Sequence, residues 1–253
     1  MAFIKFLGTS GARFVMLQQI RASGGIWISA ANEQIIIDPG PGALVRALSS
    51  RPKLDPTKLT GIILSHKHLD HSTDINVMIE AMTSGGHSRR GAVFAPSDAL
   101  SQDPVILNYL RGFPQRLEIL QEGGSYQVGE IIFTAAKKML HPVETYGFNF
   151  KIGKTTVSFI TDTGYFAEIA EYFRGEILVI NVVLAERRPE VYHLSLPEVR
   201  AILKETEAKK TILTHFGRTM LALKPWEVAA SLSQEFGKEV LAASDGMMVE
   251  LPG

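Results

Sequence analysis

The order of apolar patterns along the chain predicts an α/β fold in which β-sheets are covered by outer helices. Three observations lead there. Short β-rich runs dominate the first half, segments with apolar residues recurring every three or four positions alternate with later runs, and a block of consecutive strands fills residues 126–160. A strict strand-helix barrel would lack that block, and an all-β sandwich would lack the helical segments.

Residues 3–7, 25–29, 34–37 and 61–64 are rich in β-branched and aromatic side chains and run into Gly, Asp or Pro, so they read as strands. The run Ile35-Ile36-Ile37-Asp38-Pro39-Gly40 is apolar on successive residues, as in a strand buried on both faces, and then breaks into a turn. Helical spacing covers residues 73–82, 104–110, 167–173, 196–205 and 225–236, with Ser195 and Lys224-Pro225 as starts. Within 126–160, Gly129, Gly147 and Gly153 separate β-like runs, which predicts antiparallel strands joined by tight turns. There is no linker, low-complexity tract or repeat with a period of 20 to 50 residues, so residues 1–253 are expected to form one domain.

With 45% apolar and 21% charged residues the composition is that of a globular protein, which sets aside disordered, fibrous and membrane classes. Lys plus Arg and Asp plus Glu each total 26, so no net field draws the chain to nucleic acid or an anionic membrane. The opening residues lack the apolar core of a signal peptide, and no stretch approaches the roughly 20 apolar residues that span a bilayer. A soluble, unprocessed protein with no membrane partner is expected. The absence of cysteine rules out disulfides, thiolate metal sites and a cysteine nucleophile, and is compatible with a reducing cytoplasm. Any metal must be held by histidine nitrogen and carboxylate oxygen, a donor set suited to zinc, manganese or iron.

Directly after the apolar run Ile62-Ile63-Leu64 comes Ser65-His66-Lys67-His68-Leu69-Asp70-His71, four potential metal ligands within six residues. In an extended stretch side chains two apart share a face, so His66 and His68 can converge on one ion while Asp70 and His71 turn towards a second. Any one of them alone would read as a surface or core residue. Three histidines and an aspartate this close are costly to assemble without a counter-ion, which favours the metal reading.

This His-x-His-x-Asp-His pattern resembles the metallo-β-lactamase superfamily. The resemblance continues through Asp38 in IIIDPGPG, His141 in MLHPVETYGF, Asp162 in FITDTGYF, His215 in ILTHFGR and the terminal SDGMMVEL. It implies a four-layer αββα sandwich of two mixed sheets with outer helices. It also assigns His66, His68 and His141 to one divalent ion, Asp70, His71 and His215 to a second, and Asp162 to a bridge between them. Zinc or manganese, with iron not excluded, would then activate a shared water as hydroxide, and Asp70 joins the catalytic candidates.

His193, 22 residues before His215, resembles the extra histidine of the tRNA 3′-processing ribonucleases and the related cyclic-phosphate phosphodiesterases, where it is implicated in phosphodiester cleavage. A histidine beside a leaving oxygen can donate a proton or stabilise phosphoryl charge. The alternative role is packing or capping beside the helix that follows, for which Ser195 is the natural N-cap. The ribonucleases carry a long substrate-gripping arm between the ligands matching His141 and Asp162, whereas here that interval is 21 residues. They also carry an acidic partner after Asp162, where this chain offers Asn181 or, further on, Glu186. These features look more like the phosphodiesterase of the carbon-phosphorus lyase pathway, although that family's cysteine-based structural zinc site is missing and residues 8–25 would have to replace it.

The expected function is therefore a metal-dependent phosphodiesterase acting on a small cyclic or nucleotide-like phosphodiester, not on long RNA, and homodimers are common among such relatives. A carbonyl hydrolase of lactonase, thioesterase or β-lactamase type on the same site is the alternative. A non-catalytic accessory protein is disfavoured by the seven filled ligand positions. Lesser candidates are Thr9, Ser10 and Arg13 as phosphate contacts or a plain turn, and His87, Arg89 and Arg90 as a basic lip or ordinary loop charge. Arg187 and Arg188 are equally open, and Tyr146 and Phe148 read as core or pocket wall.

Overall fold

The computed structural model describes residues 2–252. Two seven-stranded sheets lie face to face. The first contains β1 (Ala2–Phe6), β2 (Ile26–Ala30), β3 (Glu33–Ile37), β4 (Gly61–Ile63), β5 (Ala92–Ala95) and β6 (Arg116–Ile119) in spatial sequence, with the C-terminal β14 (Met248–Leu251) on the outer side of β1. The second runs from β7 (Ser125–Val128) through β8 (Ile131–Lys138), β9 (Tyr146–Ile152), β10 (Thr155–Ile160), β11 (Ile177–Asn181) and β12 (Lys210–Thr214) to β13 (Glu239–Ala242). Each sheet has an antiparallel part built from hairpins and a parallel part, β3 to β6 in one and β10 to β13 in the other.

Side-chain alternation explains why the strands are apolar on both faces. Ile35, Ile37 and Ile63 point between the sheets and meet Phe133, Phe148, Phe150 and Phe159 from the opposite side. Ile36 and Ile62 point outward into a second apolar layer formed with α2 (Ala43–Ser49) and α4 (Ile75–Thr83). A third layer packs the far sheet against α6 (Leu196–Glu205) and α8 (Pro225–Phe236). The result is the expected αββα order. Tyr146 and Phe148 are core residues of the central layer.

The helices at 196–205 and 225–236 lie where the spacing predicts, and Ser195 with Glu198 forms a reciprocal capping box at the start of α6. Residues 167–173 hold only the single turn α5 (Ile169–Tyr172). The expected helix at 104–110 is absent: a 3-10 turn, Asn108–Leu110, is all that forms. Its backbone groups are taken elsewhere. Val105 and Ile106 donate to the carbonyl of Ala99, while the Asn76 side chain on α4 accepts from Leu107 N and donates to the Val105 carbonyl. Tertiary hydrogen bonds thus outcompete a segment whose Val-Ile pair is a weak helix former. Four short helices add to the predicted set: α1 (Ala12–Leu17), α2, α3 (Leu69–Ser72) and α7 (Arg218–Ala222).

The topology places the chemistry. In the parallel part of each sheet the carboxyl ends of the strands open on one edge, and β8 points the same way as β10 because both are antiparallel to β9. Asp38 follows β3, the histidine cluster follows β4, His141 follows β8, Asp162 follows β10 and His215 follows β12. All therefore meet at one rim of the sandwich, as expected for sites at the carboxyl ends of parallel strands. The loop carrying His87, Arg89 and Arg90 precedes β5 and lies at the opposite end of the parallel strands, where Arg90 donates to the Thr57 and Leu59 carbonyls. It cannot form a lip over that rim.

Candidate metal centre

The ligand-rich loop is extended only as far as His68, which serves as the N-cap of α3. Asp70 and His71 are then presented by a helical turn, which brings Asp70 to the side of His215 while the His71 ring stays 4.1 Å from that of His66. The loop of residues 38–40 presses against this turn at Gly40, where a Cβ would lie 2.0 Å from the Asp70 carbonyl oxygen and 2.2 Å from that of Ser23. No larger residue fits without moving both. Asp38 and His215 each adopt left-handed backbone, with φ of 54° and 60°. Such conformations cost free energy for residues other than glycine, and they concentrate where a side chain must be aimed.

Three sets of donor atoms gather among the described residues, each within 4.8 Å of one another: His66, His68 and His141; His66, His71 and Asp162; Asp70, His71 and His215. His68 Nδ1 lies 3.0 Å from His141 Nε2, and His71 Nε2 lies 3.3 Å from His215 Nε2. Asp162 sits between the two histidine sets. Its Oδ2 is 3.5 Å from His71 Nε2 and 3.9 Å from His66 Nε2, and its Oδ1 is 3.2 Å from His215 Nε2.

A surrounding layer of hydrogen bonds fixes which nitrogen each ring presents. His71 Nδ1 donates to Asp38 Oδ2 at 2.9 Å, which turns Nε2 towards Asp70 and Asp162. The same carboxylate accepts from Ser65 N at 2.6 Å and from Ser65 Oγ at 2.7 Å, and Ser65 Oγ in turn accepts from His66 Nδ1 at 3.0 Å. One aspartate thereby orients two rings. His141 Nδ1 donates to the Tyr192 carbonyl at 3.0 Å, and Asn181 Nδ2 donates to Asp162 Oδ1 at 2.8 Å. Partners of this kind set tautomer and orientation in metal sites.

Charge follows the same division. Burial pushes His66 well below the ordinary histidine range and His141 down to about 4, and it lowers His68 and His193. The rings of His66, His68 and His141 are neutral and carry lone pairs. Burial also opposes a proton on His71, but Asp70, Asp162 and Asp38 outweigh it and raise His71 well above its usual value. Burial would raise Asp162, yet His215, His193 and His71 hold it well below the carboxylate range. His66 Nε2 is buried, aimed into the cluster and without a hydrogen-bond partner. A buried orphan nitrogen among neutral imidazoles and ionised carboxylates is a site for a cation, and the donor set fits divalent metal.

His193 lies beside this cluster, its Nδ1 buried without a partner and 3.5 Å from Asp162 Oδ2. It is not the cap of α6, because Ser195 fills that position. Asn181 contacts Asp162 rather than His193, and among the described residues Glu186 makes no hydrogen bond to either. His193 and Asp162 open, with His68 and Asp70, onto a cleft of about 450 Å³ whose other wall is α1, through Ala12, Arg13, Met16 and Leu17. Arg13 thus reaches the site. Thr9 does not contribute to that wall, since its N–H and hydroxyl both donate to Asp245. Arg187 pairs with Glu198.

Asp245, in the SDGMM segment, is a residue whose part was invisible in the sequence. Its two oxygens accept from Thr9 N, Thr9 Oγ1 and Ala22 N at 2.7 to 3.0 Å, with Arg46 3.4 Å away. Both ends of the segment that carries α1 are so tied to one carboxylate. Gly11 N and Phe216 N complete the attachment by pairing residues 9–11 with the stretch around His215.

The profile of the beta-lactamase superfamily domain matches residues 33–216. The chain belongs to that superfamily. Its two mixed sheets and outer helices have the metallo-β-lactamase arrangement, a metallo-hydrolase fold that implies binding of divalent metal. The chain is 28% identical over 256 residues to the uncharacterized protein MJ1374 of Methanocaldococcus jannaschii, covering 98% of this chain and 94% of that one. Among solved structures it resembles the metallo-β-lactamase-fold protein YhfI of Bacillus subtilis, with a TM-score of 0.79, 20% identity and 98% of both chains covered. It also resembles a diphosphatase from the PhnP family, with a TM-score of 0.73, 18% identity and coverage of 100% and 98%. Against the short form of human tRNase Z the TM-score is 0.71, with 18% identity and 99% of each chain covered. At these identities the structures establish a shared fold. No helix among the described residues is long and apolar enough to cross a membrane.

Proposed function

We propose that the protein is a metal-dependent phosphodiesterase for small phosphodiesters, with His66, His68 and His141 holding one divalent ion, Asp70, His71 and His215 a second, and Asp162 shared between them. The observation that carries this reading beyond the superfamily is His193. It adds an eighth imidazole-or-carboxylate group, on the cleft side of Asp162, where neither triad needs it. Similarity to a PhnP-family diphosphatase and to a tRNase Z supports the same reading.

Bound at these donors, two divalent ions would supply Lewis acidity to a phosphoryl group and bring the pKa of a water in the site towards neutrality. The chain's own groups do the rest. Asp162 stays ionised and keeps its two oxygens directed at both histidine sets. Asp38 and Ser65 hold the rings of His71 and His66 so that neither can turn its lone pair away. His193, on the cleft wall, donates to the leaving or phosphoryl oxygen as charge develops there, a task typically worth about 10² to 10⁴ in rate. The cleft suits a small substrate: the 21 residues from His141 to Asp162 are used up by β9 and β10, which leaves no arm to grip a long nucleic acid.

The test is hydrolysis of bis-p-nitrophenyl phosphate by protein loaded separately with zinc and manganese, beside an ester and a β-lactam, with Asp162→Ala as the blank. Diester cleavage lost in the blank is expected. Cleavage of the ester or lactam alone would sink the reading and indicate carbonyl chemistry on the same site.

A further inference from the structure

The metal centre is polar, but the mouth through which a substrate must reach it is not. The wall facing the centre comes from one face of α1, where Ala12, Arg13, Met16 and Leu17 fall at helical spacing, and from Leu69 between two proposed ligands. Leu17 is 69% exposed and Leu69 64%. Leu140 and Tyr192, which immediately precede His141 and His193, are 48% and 51% exposed. Single exposed apolar residues are ordinary on a protein surface, whereas a group of them collected around a charged cleft marks a place where something apolar binds.

What it binds follows from the rest of the wall. Apart from the metal-centre residues themselves, Arg13 is the one polar side chain lining the cleft, and among the described residues it makes no ion pair or side-chain hydrogen bond. A single uncommitted cation matches the single negative charge of a phosphodiester. Among the described residues no amide or hydroxyl side chain lines the cleft wall itself to read a base edge or a sugar hydroxyl, the Tyr192 phenol lying outside that wall, and a site that discriminates polar groups needs such partners. A diester bearing an aryl or alkyl group would instead cover Met16, Leu17 and Leu69 and remove them from water.

We infer that the cleft selects phosphodiesters carrying an apolar aryl or alkyl substituent, which rests on Met16, Leu17 and Leu69 while Arg13 meets the charge of the diester. This rests on the phosphodiesterase reading for its chemistry but not for its recognition, and the two are tested apart. The first arm measures kcat/KM of the metal-loaded protein for p-nitrophenyl diesters that share one leaving group while the second ester group grows from methyl to hexyl. A rise of about tenfold is expected for partly buried methylenes. The second arm compares binding of phenylphosphonate and methylphosphonate by calorimetry, with the phenyl compound expected to bind about tenfold more tightly. Leu17→Ser and Leu69→Ser, both at exposed positions, should flatten the diester series and narrow the phosphonate difference. Equal affinities for the two phosphonates would overturn the inference whatever the diesters do. A phosphonate preference without cleavage of any diester would overturn the phosphodiesterase reading and leave the apolar recognition standing.

Discussion

On the inner side of the metal centre, His71 is tied to Asp38 and Asp162 is tied to Asn181 and His215, with all but Asn181 buried. On the outer side, among the described residues, the His141 Nδ1 is oriented by a backbone carbonyl, His68 meets the rings of His66 and His141, and His193 Nδ1 has no partner. The two sides use the same residue types for different ends. Inside, carboxylates next to the rings set their position and charge before any ion arrives. Outside, neutral rings border the cleft, and their geometry is left to the metal and substrate. The rigid half comes from strand ends packed on both faces, the open half from loops at the surface.

Four experiments would break or sharpen that contrast. The largest effect is expected for Asp162→Ala, which touches both sides: metal content per chain, measured by elemental analysis, should fall by at least one ion and activity should drop to background. In the metal-free protein the loss removes one of the three carboxylates that face His71, with Asp38 and Asp70 remaining, at a cost of about 1 to 3 kcal/mol in urea unfolding. Retention of both ions would contradict a shared ligand. Next comes His193→Ala, which should lower diester turnover about 10² to 10⁴ fold while metal content stays unchanged, because the ring belongs to neither triad. A rate equal to that of the parent protein would remove His193 from the reaction.

Asp38→Asn acts on His71 directly and on His66 through Ser65. It keeps the shape but not the charge that orients His71, so metal affinity should weaken about 10 to 100 fold in competition with a chelating dye. An unaltered affinity would mean that packing, not Asp38, sets the ring. The smallest effect is on the pH dependence of stability after chelation, and here the two sides should have opposite signs. His71 has a raised folded pKa, so its contribution is present below the unfolded value and is lost as pH rises through the folded one. His141 has a folded pKa of about 4, so between about 6.5 and 4 the unfolded chain binds the extra proton and stability falls on acidification. Each group contributes about 1.4 kcal/mol per pH unit at most. Urea titrations between pH 4 and 9 should lose the alkaline limb in His71→Gln and show a shallower acid limb in His141→Gln, where His66, His68 and His193 still contribute; the reverse pairing would refute the charge assignment.

Much of this was legible before any coordinates. The buried strands announced themselves because both faces of the sheet are covered, so Ile35, Ile36 and Ile37 all had to be apolar. The cluster from His66 to His71 stood out because four donors are close in sequence. The rest was not readable for physical reasons. Residues 104–110 have a helical pattern, but Asn76 and Ala99 claim their backbone groups from outside the segment. Ser65 looks like an ordinary strand-end residue until it is seen beside Asp38, and Asn181, weighed in the sequence as a partner for His193, holds Asp162 instead. Asp245 holds residues more than 220 positions away, and no local spacing encodes such a contact.

By itself the sequence determined the chemistry available: nitrogen and oxygen donors with no thiol, a dense ligand loop after an apolar strand, and an interval too short for an extra arm. These are properties of residue type and of neighbours along the chain. Only the tertiary structure decided which donors meet, that Asp162 lies between two sets of histidines, and that an uncommitted arginine and an apolar helix face border them. The reason is that β3, β4, β8, β10 and β12 end on one rim through pairings distant in sequence, and the cleft exists only once residues 8–25 are pinned across that rim.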